Sequence, residues 1–280
     1  MRTIHTDEIV ETVEKLCIES NYYLNSDILT GLKKGLEEEE SEIGLDILSR
    51  LVDNASLAKK KNIAICQDTG MAVVFVDIGQ DVHITGENLT DSVNEGVRRG
   101  YQKGYLRKSV VRDPIYRENT KDNTPAVIHY NIVDGNNVRI TVAPKGFGSE
   151  NMSALKMLKP SDGIEGVKKF IIETVDKAGP NPCPPIIVGA GIGGTMEKAA
   201  YLAKRALLRP INVRSEIEYV RELENELLKK INNLGIGPSG LGGRTTALSV
   251  NIETYPTHIA GLPVAVNINC HATRHAEAVI

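Results

Sequence analysis

Ile63-Ala-Ile-Cys-Gln-Asp-Thr-Gly70, running into Met71-Ala-Val-Val-Phe-Val-Asp-Ile78, marks the place where this chain changes character. The first segment is a short apolar run broken by polar residues and a glycine. The second is rich in β-branched residues and reads as a strand. Everything before them reads as helix. Thr6 or Asp7 can cap a helix with Ile9, Val10, Val13, Leu16 and Cys17 on one face. Ser26 opens a second, carrying Leu29, Leu32 and Leu36, which ends in the acidic run Glu37–Glu40, read as a solvated face without function. A third places Ile43, Ile47, Leu48, Leu51, Val52, Ala55 and Ala58 at helical spacing.

Downstream, the periods alternate. Thr90 begins a helix with Val93, Val97, Tyr101 and Tyr105 on one face. Residues 126–133 and 138–143 alternate apolar and polar around Asp134-Gly-Asn-Asn137, a hairpin signal. Further helices are expected near 162–178, 195–208 and 214–233, and strands at 185–189, 246–253 and 264–269. Gly235–Gly243 reads as a mobile loop. With no internal repeat and no low-complexity linker, residues 1–280 read as a single domain. The expected class is α+β: helix-rich, with a small mixed, partly antiparallel sheet and a helical N-terminal layer over about residues 1–61.

The bulk numbers exclude more than they assign. A net charge of −3 with 25% charged residues leaves no basic footprint for nucleic acid or an anionic membrane. No apolar run reaches the roughly 20 residues of a membrane span, and no secretory signal opens the chain. Four cysteines without such a signal predict reduced thiols and a cytoplasmic protein.

Those thiols then become candidates for chemistry. Cys17, on an apolar helix face, reads as a small buried hydrophobe. Cys66, Cys183 (in Asn-Pro-Cys-Pro-Pro) and Cys270 (before His-Ala-Thr-Arg-His) each sit where a strand or run meets a loop. Singly, each is more often an inert core thiol than a ligand. Their spacings of 117 and 87 residues carry no local signature, and no C-x-x-C suggests structural zinc. Electron-transfer clusters usually take four thiolates; three would leave one iron of a cubane open, as a Lewis acid needs. A Cys3His zinc site, a redox cluster and an open cluster therefore all remain as readings. Asp68 suits a general base or a turn, Arg107 and Arg112 can grip carboxylates, and His258 can donate to one. Val188-Gly-Ala-Gly-Ile-Gly-Gly-Thr195 contains G-x-G-x-x-G, but no second strand with an acidic ribose ligand follows it, so dinucleotide binding is rejected. Its glycines are expected instead to let backbone amides at a helix N-terminus approach an anion or a cluster. Lys145-Gly-Phe-Gly-Ser-Glu-Asn151 is expected to offer amides to a carboxylate.

Ile65-Cys-Gln-Asp-Thr-Gly70, Lys145–Asn151, Cys183 with Pro-Pro-Ile-Ile-Val-Gly, and Ile268-Asn-Cys-His-Ala-Thr-Arg274 together resemble the α subunit of class I, iron–sulfur fumarases and the related L-tartrate dehydratases, along essentially the whole chain. The resemblance implies a [4Fe-4S] cluster on Cys66, Cys183 and Cys270, with the fourth iron open to substrate. It implies reversible hydration of fumarate to malate, a tricarboxylic acid cycle step, or alternatively dehydration of tartrate to oxaloacetate. Gln67, Asp68, Arg107, Gly148 and His258 would contact the small dicarboxylate, with Asp68 and His258 as catalytic candidates. The chain stops ten residues after Cys270, so a separate β subunit is expected to complete the site, in a dimer of αβ pairs or around a homodimer of this chain. An iron–sulfur sensor or electron carrier is the rival from another class.

Overall fold

A computed structural model describes residues 2–280. The described residues divide into two compact units, one built from residues 2–24, 57–147 and 274–280, the other from 25–56 and 148–273. Both are mixed α and β, so the α+β class is as expected, with two four-stranded sheets where one was foreseen.

In the first unit, β1 (Arg2–His5) pairs in parallel with β3 (Val82–Thr85). The N-terminal helix α1 (Thr6–Tyr22) follows β1, capped by His5, whose Nδ1 accepts the Asp7 amide. The larger sheet has the order β10-β5-β2-β4, with β2 at Met71–Gly79, β4 at Val127–Val133, β5 at Val138–Lys145 and β10 at Ala276–Val279. The expected hairpin is absent: β4 and β5 both border β2, β4 in parallel and β5 antiparallel. The turn between them closes over the end of β2, where Asp81 N–H donates to the Gly135 carbonyl. The nearly unbroken apolar run of β2 is what takes the central position, because only a strand flanked on both sides hides it. Helix α4 (Leu89–Lys103) crosses α1 closely; a Cβ on Gly100 would lie 2.7 Å from the Cys17 Cβ. Val93, Val97 and Tyr101 are buried as expected, but Tyr105 lies past the helix end, is 92% exposed and has a φ of 49°.

The second unit holds α2 (Ser26–Glu38) and most of α3 (Glu42–Lys61). The three N-terminal helices thus occur where expected but are shared between units. Its sheet has the order β6-β9-β7-β8, from Ala154–Leu158, Leu262–Asn269, Ile186–Gly193 and Ala247–Tyr255. Alternation along the central strands divides the packing. Val188, Ala190, Val264 and Val266 meet Val167, Ile171, Leu223 and Leu227 of α6 (Gly163–Ala178) and α8 (Glu218–Asn232). The intervening residues face α7 (Met196–Ala206): Ala265 packs on Ala199 and Ala203, and a Cβ on Gly191 would fall 2.1 Å from the Ala199 carbonyl oxygen. Gly189 and Gly191 are therefore contact glycines inside a strand, not an anion-binding turn. The short helix α5 (Phe147–Glu150) precedes β6. Gly235–Gly243 is ordered around a 3-10 turn at Pro238–Gly240, with Gly242 N–H donating to Ile236 O and Gly237 N–H to the Thr246 hydroxyl. No helix among the described residues is long and apolar enough to cross a membrane.

Glu39 corrects the reading of the acidic run. It is buried, and its carboxylate accepts amides from Glu40, Ser41, Arg244 and Thr245. Burial pushes its pKa up, but the amides of Arg244, Thr245 and Ser41 outweigh that and hold it at about 2.

Candidate active site

The register of β2 against β5 decides what meets in the first unit. Met71 pairs with Lys145, so the loop Cys66–Gly70 entering β2 lies beside Gly146 and Phe147 leaving β5. Asp68 joins them: Oδ1 accepts the Gly70 amide at 3.0 Å and Oδ2 the Phe147 amide at 3.0 Å. The Lys145–Asn151 segment does offer an amide to a carboxylate, and that carboxylate is the chain's own. The turn reading of Asp68 is thereby realised, and both of its oxygens take fixed donors. Gly70, with φ of 73°, has no room for a side chain, since a Cβ would stand 2.8 Å from the Lys145 backbone.

Cys66 is half-buried, and its Sγ accepts the Asp68 amide at 3.4 Å. Gln67 is exposed, its Oε1 3.4 Å from the same sulfur. Arg107 comes to this loop through Thr69, whose hydroxyl accepts the Arg107 amide at 2.9 Å and donates to the Arg107 carbonyl at 3.2 Å. Its guanidinium side is exposed. Gln67 and Asp68 thus touch Cys66, while Arg107 is tied by its backbone to the same loop at Thr69; Arg112 lies further along the exposed loop.

Four bracing residues were not singled out from sequence. The buried Tyr101 hydroxyl donates to the carbonyls of Thr69 and Gly70 at 2.8 and 3.1 Å. Asn123 donates to Gly70 O and accepts the Ser109 amide. Arg274, 5% exposed, donates to the Asp68 carbonyl at 2.7 Å and to Asn21 Oδ1. A signal existed for Tyr101, a phenol on an apolar face that must find a partner once buried. Arg274 closed a quoted motif; Asn21 and Asn123 gave no local cue.

In the second unit Asn269 pairs with Ile187, so Cys270, after β9, and Cys183, just before β7, leave the same end of one antiparallel ladder. His271 ties them: the Cys183 carbonyl accepts its backbone amide at 3.3 Å and lies 3.0 Å from its Nδ1. Cys183 is exposed in a tight turn with φ of 55°, and its amide donates to Pro180 O. Cys270 is half-buried, its carbonyl taking the Thr273 amide and hydroxyl. Gly148 joins this group, since a Cβ there would be 3.7 Å from Asn181 O. His258 does not. It precedes β9 at the opposite end from Cys270, and eight strand residues span about 26 Å. It is exposed, with Nδ1 accepting the Ala260 amide at 3.1 Å.

Cys17 behaves as expected of a core thiol: it is fully buried, and burial pushes its ionisation up out of reach. The other three are at least partly open, and one already accepts an amide as a ligating thiolate does. This donor chemistry fits an iron–sulfur cluster. Among the described residues no three His, Cys, Asp or Glu converge as a single metal ion needs; cluster thiolates bind separate irons and stand further apart than ligands sharing one ion.

Residues 10–279 match the protein family described as fumarate hydratase (Fumerase). The chain is 44% identical over 275 residues to the putative L(+)-tartrate dehydratase subunit alpha of Methanocaldococcus jannaschii, covering 96% of each. It is 33% identical to the L(+)-tartrate dehydratase subunit alpha of Escherichia coli K12, covering 98% of this chain and 91% of that one. The gathered motifs and these matches over nearly the whole length lead to one assignment: the chain belongs to the fumarate hydratase family of hydro-lyases.

Proposed function

We propose that this chain is the α subunit of a cytoplasmic iron–sulfur L(+)-tartrate dehydratase. The observation that carries the substrate is the 44% identity, over 96% of both chains, to a relative bearing that name, supported by the Escherichia coli proteins of the same name. Fumarate hydration is the second reading, favoured by the name of the family itself. Both substrates are small dicarboxylates.

Cys66, Cys183 and Cys270 are the residues to hold a [4Fe-4S] cluster, and residues 1–280 are read as a single cluster-binding domain. When bound, the cluster supplies a Lewis acid for the hydroxyl that departs in elimination. The exposed Arg107 guanidinium holds a substrate carboxylate, and Gln67 and the open backbone at Gly148 orient it. Asp68, fixed by two amides, positions the loop that carries Cys66 and Gln67, and we assign it a part in proton transfer. His258 reaches a site at the cysteine end only from a second copy of the chain, which fits a dimer of αβ pairs or a homodimer. The relatives' designation as subunit alpha supports a β subunit that brings the remaining groups.

The test is co-expression with the companion β chain, anaerobic purification, and assay of L(+)-tartrate, its stereoisomers, malate and fumarate. Turnover preferring L(+)-tartrate is expected, and preference for fumarate and malate would transfer the assignment to the second reading. An iron- and sulfide-free protein that is fully active would overturn the cofactor.

A further inference from the structure

Between α4 and β4 the chain makes a long excursion, residues 104–126, that is tightly built yet shows large apolar groups to water. Asp113 Oδ1 accepts the amides of Ile115 and Tyr116 at 2.8 and 2.7 Å. Arg112 N–H donates to Glu118 O, and Arg117 N–H to Asp113 O. Val111 and Asn119 form a bridge, and Asn119 Nδ2 reaches Lys108 O at 3.0 Å. The conformation is strained as well as fastened. Four of the seven non-glycine residues with positive φ among the described residues are here: Tyr105, Arg117, Lys121 and Asn123. It presents a tip with Ile115 80% exposed, Tyr116 89% and, near its base, Tyr105 92%.

Ordering a loop costs conformational entropy, and the apolar side chains that its tip holds in water recover none of that cost in the isolated chain. We propose that this tip is the docking surface for the partner polypeptide that completes the active site, an inference that rests on the two-subunit reading above. Ile115, Tyr116 and Tyr105 would enter an apolar recess on the partner, and the cations around them would meet its acidic rim.

Two observations commit the tip to that occupant. The loop carries Arg107 of the candidate site two residues after Tyr105, so the tip and the site share one loop. Its charge is also opposite to that of the chain: residues 105–121 hold five cationic side chains against two acidic ones, in a chain of net −3. A second copy of this chain is acidic overall but shows its own cationic loop at this place, and like charges disfavour self-pairing. Tyrosine and arginine around a packed apolar centre are the commonest binding anchors.

The experiment measures association of the purified, tagged chain with its companion β chain, for wild type, Ile115→Ser/Tyr116→Ser, Arg112→Glu/Arg117→Glu, and Ile43→Ser as an exposed apolar control on α3 (57% exposed). Circular dichroism and melting of each chain alone monitor folding, which the exposed positions should leave unchanged. The tip variant is expected to bind about 30-fold or more weakly, the charge reversal to associate more slowly and with less salt dependence, and the control to bind as wild type. Wild-type binding with an unimpaired tip variant would overturn the docking surface and leave the two-subunit reading standing. No association of the wild-type chains, together with full activity of this chain alone, would overturn both.

Discussion

Glu39 lies in an acidic run whose composition suggests only solvation, yet its carboxylate gathers four backbone amides. A charge-assisted set of this kind stabilises by about 1.5–3 kcal/mol per strong bond, and Glu39→Gln should lower the melting temperature clearly. The sign with pH follows from the depressed pKa. The folded value is about 2 and the unfolded one near ~4.3, so the contribution is complete above the unfolded value and is lost as pH falls through about 2. Acid titration of wild type against Glu39→Gln, followed by circular dichroism, checks this: only the wild type should lose stability through that added step. Tyr101→Phe should cost about 1 kcal/mol by leaving the Thr69 and Gly70 carbonyls short of a donor, and should raise KM more than it disturbs the fold. Cys→Ser at 66, 183 or 270 is expected to lower bound iron and sulfide severalfold, while Cys17→Ser leaves them unchanged, as elemental analysis will read. At this scale the sequence shows which side chains are unusual but not what they touch. Asp68 reads equally as base or turn until Phe147 is seen across the sheet, and the distance of His258 from Cys270 follows from strand direction alone.

Helices were the most legible elements, because their apolar period is internal to each segment: α1 and α4 begin, and α6 both begins and ends, within a few residues of expectation. Strand pairing was not, because it is a choice among segments. Asp134-Gly-Asn-Asn137 carries every local mark of a hairpin, and the deeply apolar β2 nevertheless lies between its arms. The G-x-G-x-x-G run shows the same limit in reverse, since its glycines record how closely α7 approaches β7. Gly191→Ala, with its Cβ 2.1 Å from a carbonyl oxygen, should destabilise by about 1–3 kcal/mol or more. Gly135→Ala meets no neighbour, so only its φ of 100° opposes it, and it should cost less. Chemical denaturation midpoints separate the two. Comparable losses would mean that close approach is not what holds Gly191.

For the molecule as a whole, the expectation of α+β held, while the division into units was invisible in composition because no linker announces it. The chain alone, with its cluster rebuilt, should show under one-hundredth of the turnover of the two-chain enzyme, as anaerobic assay at matched iron content will tell. The boundaries at 24/25, 56/57, 147/148 and 273/274 mean that neither unit is a continuous stretch of polypeptide. No single truncation can therefore release one intact: a fragment starting at Gly148 leaves behind α2 and Glu39, and one ending at Phe147 loses the edge strand β10. Shuffling between relatives at one crossover would always splice mismatched halves into at least one core, so this polypeptide is expected to be inherited and exchanged only as an undivided piece.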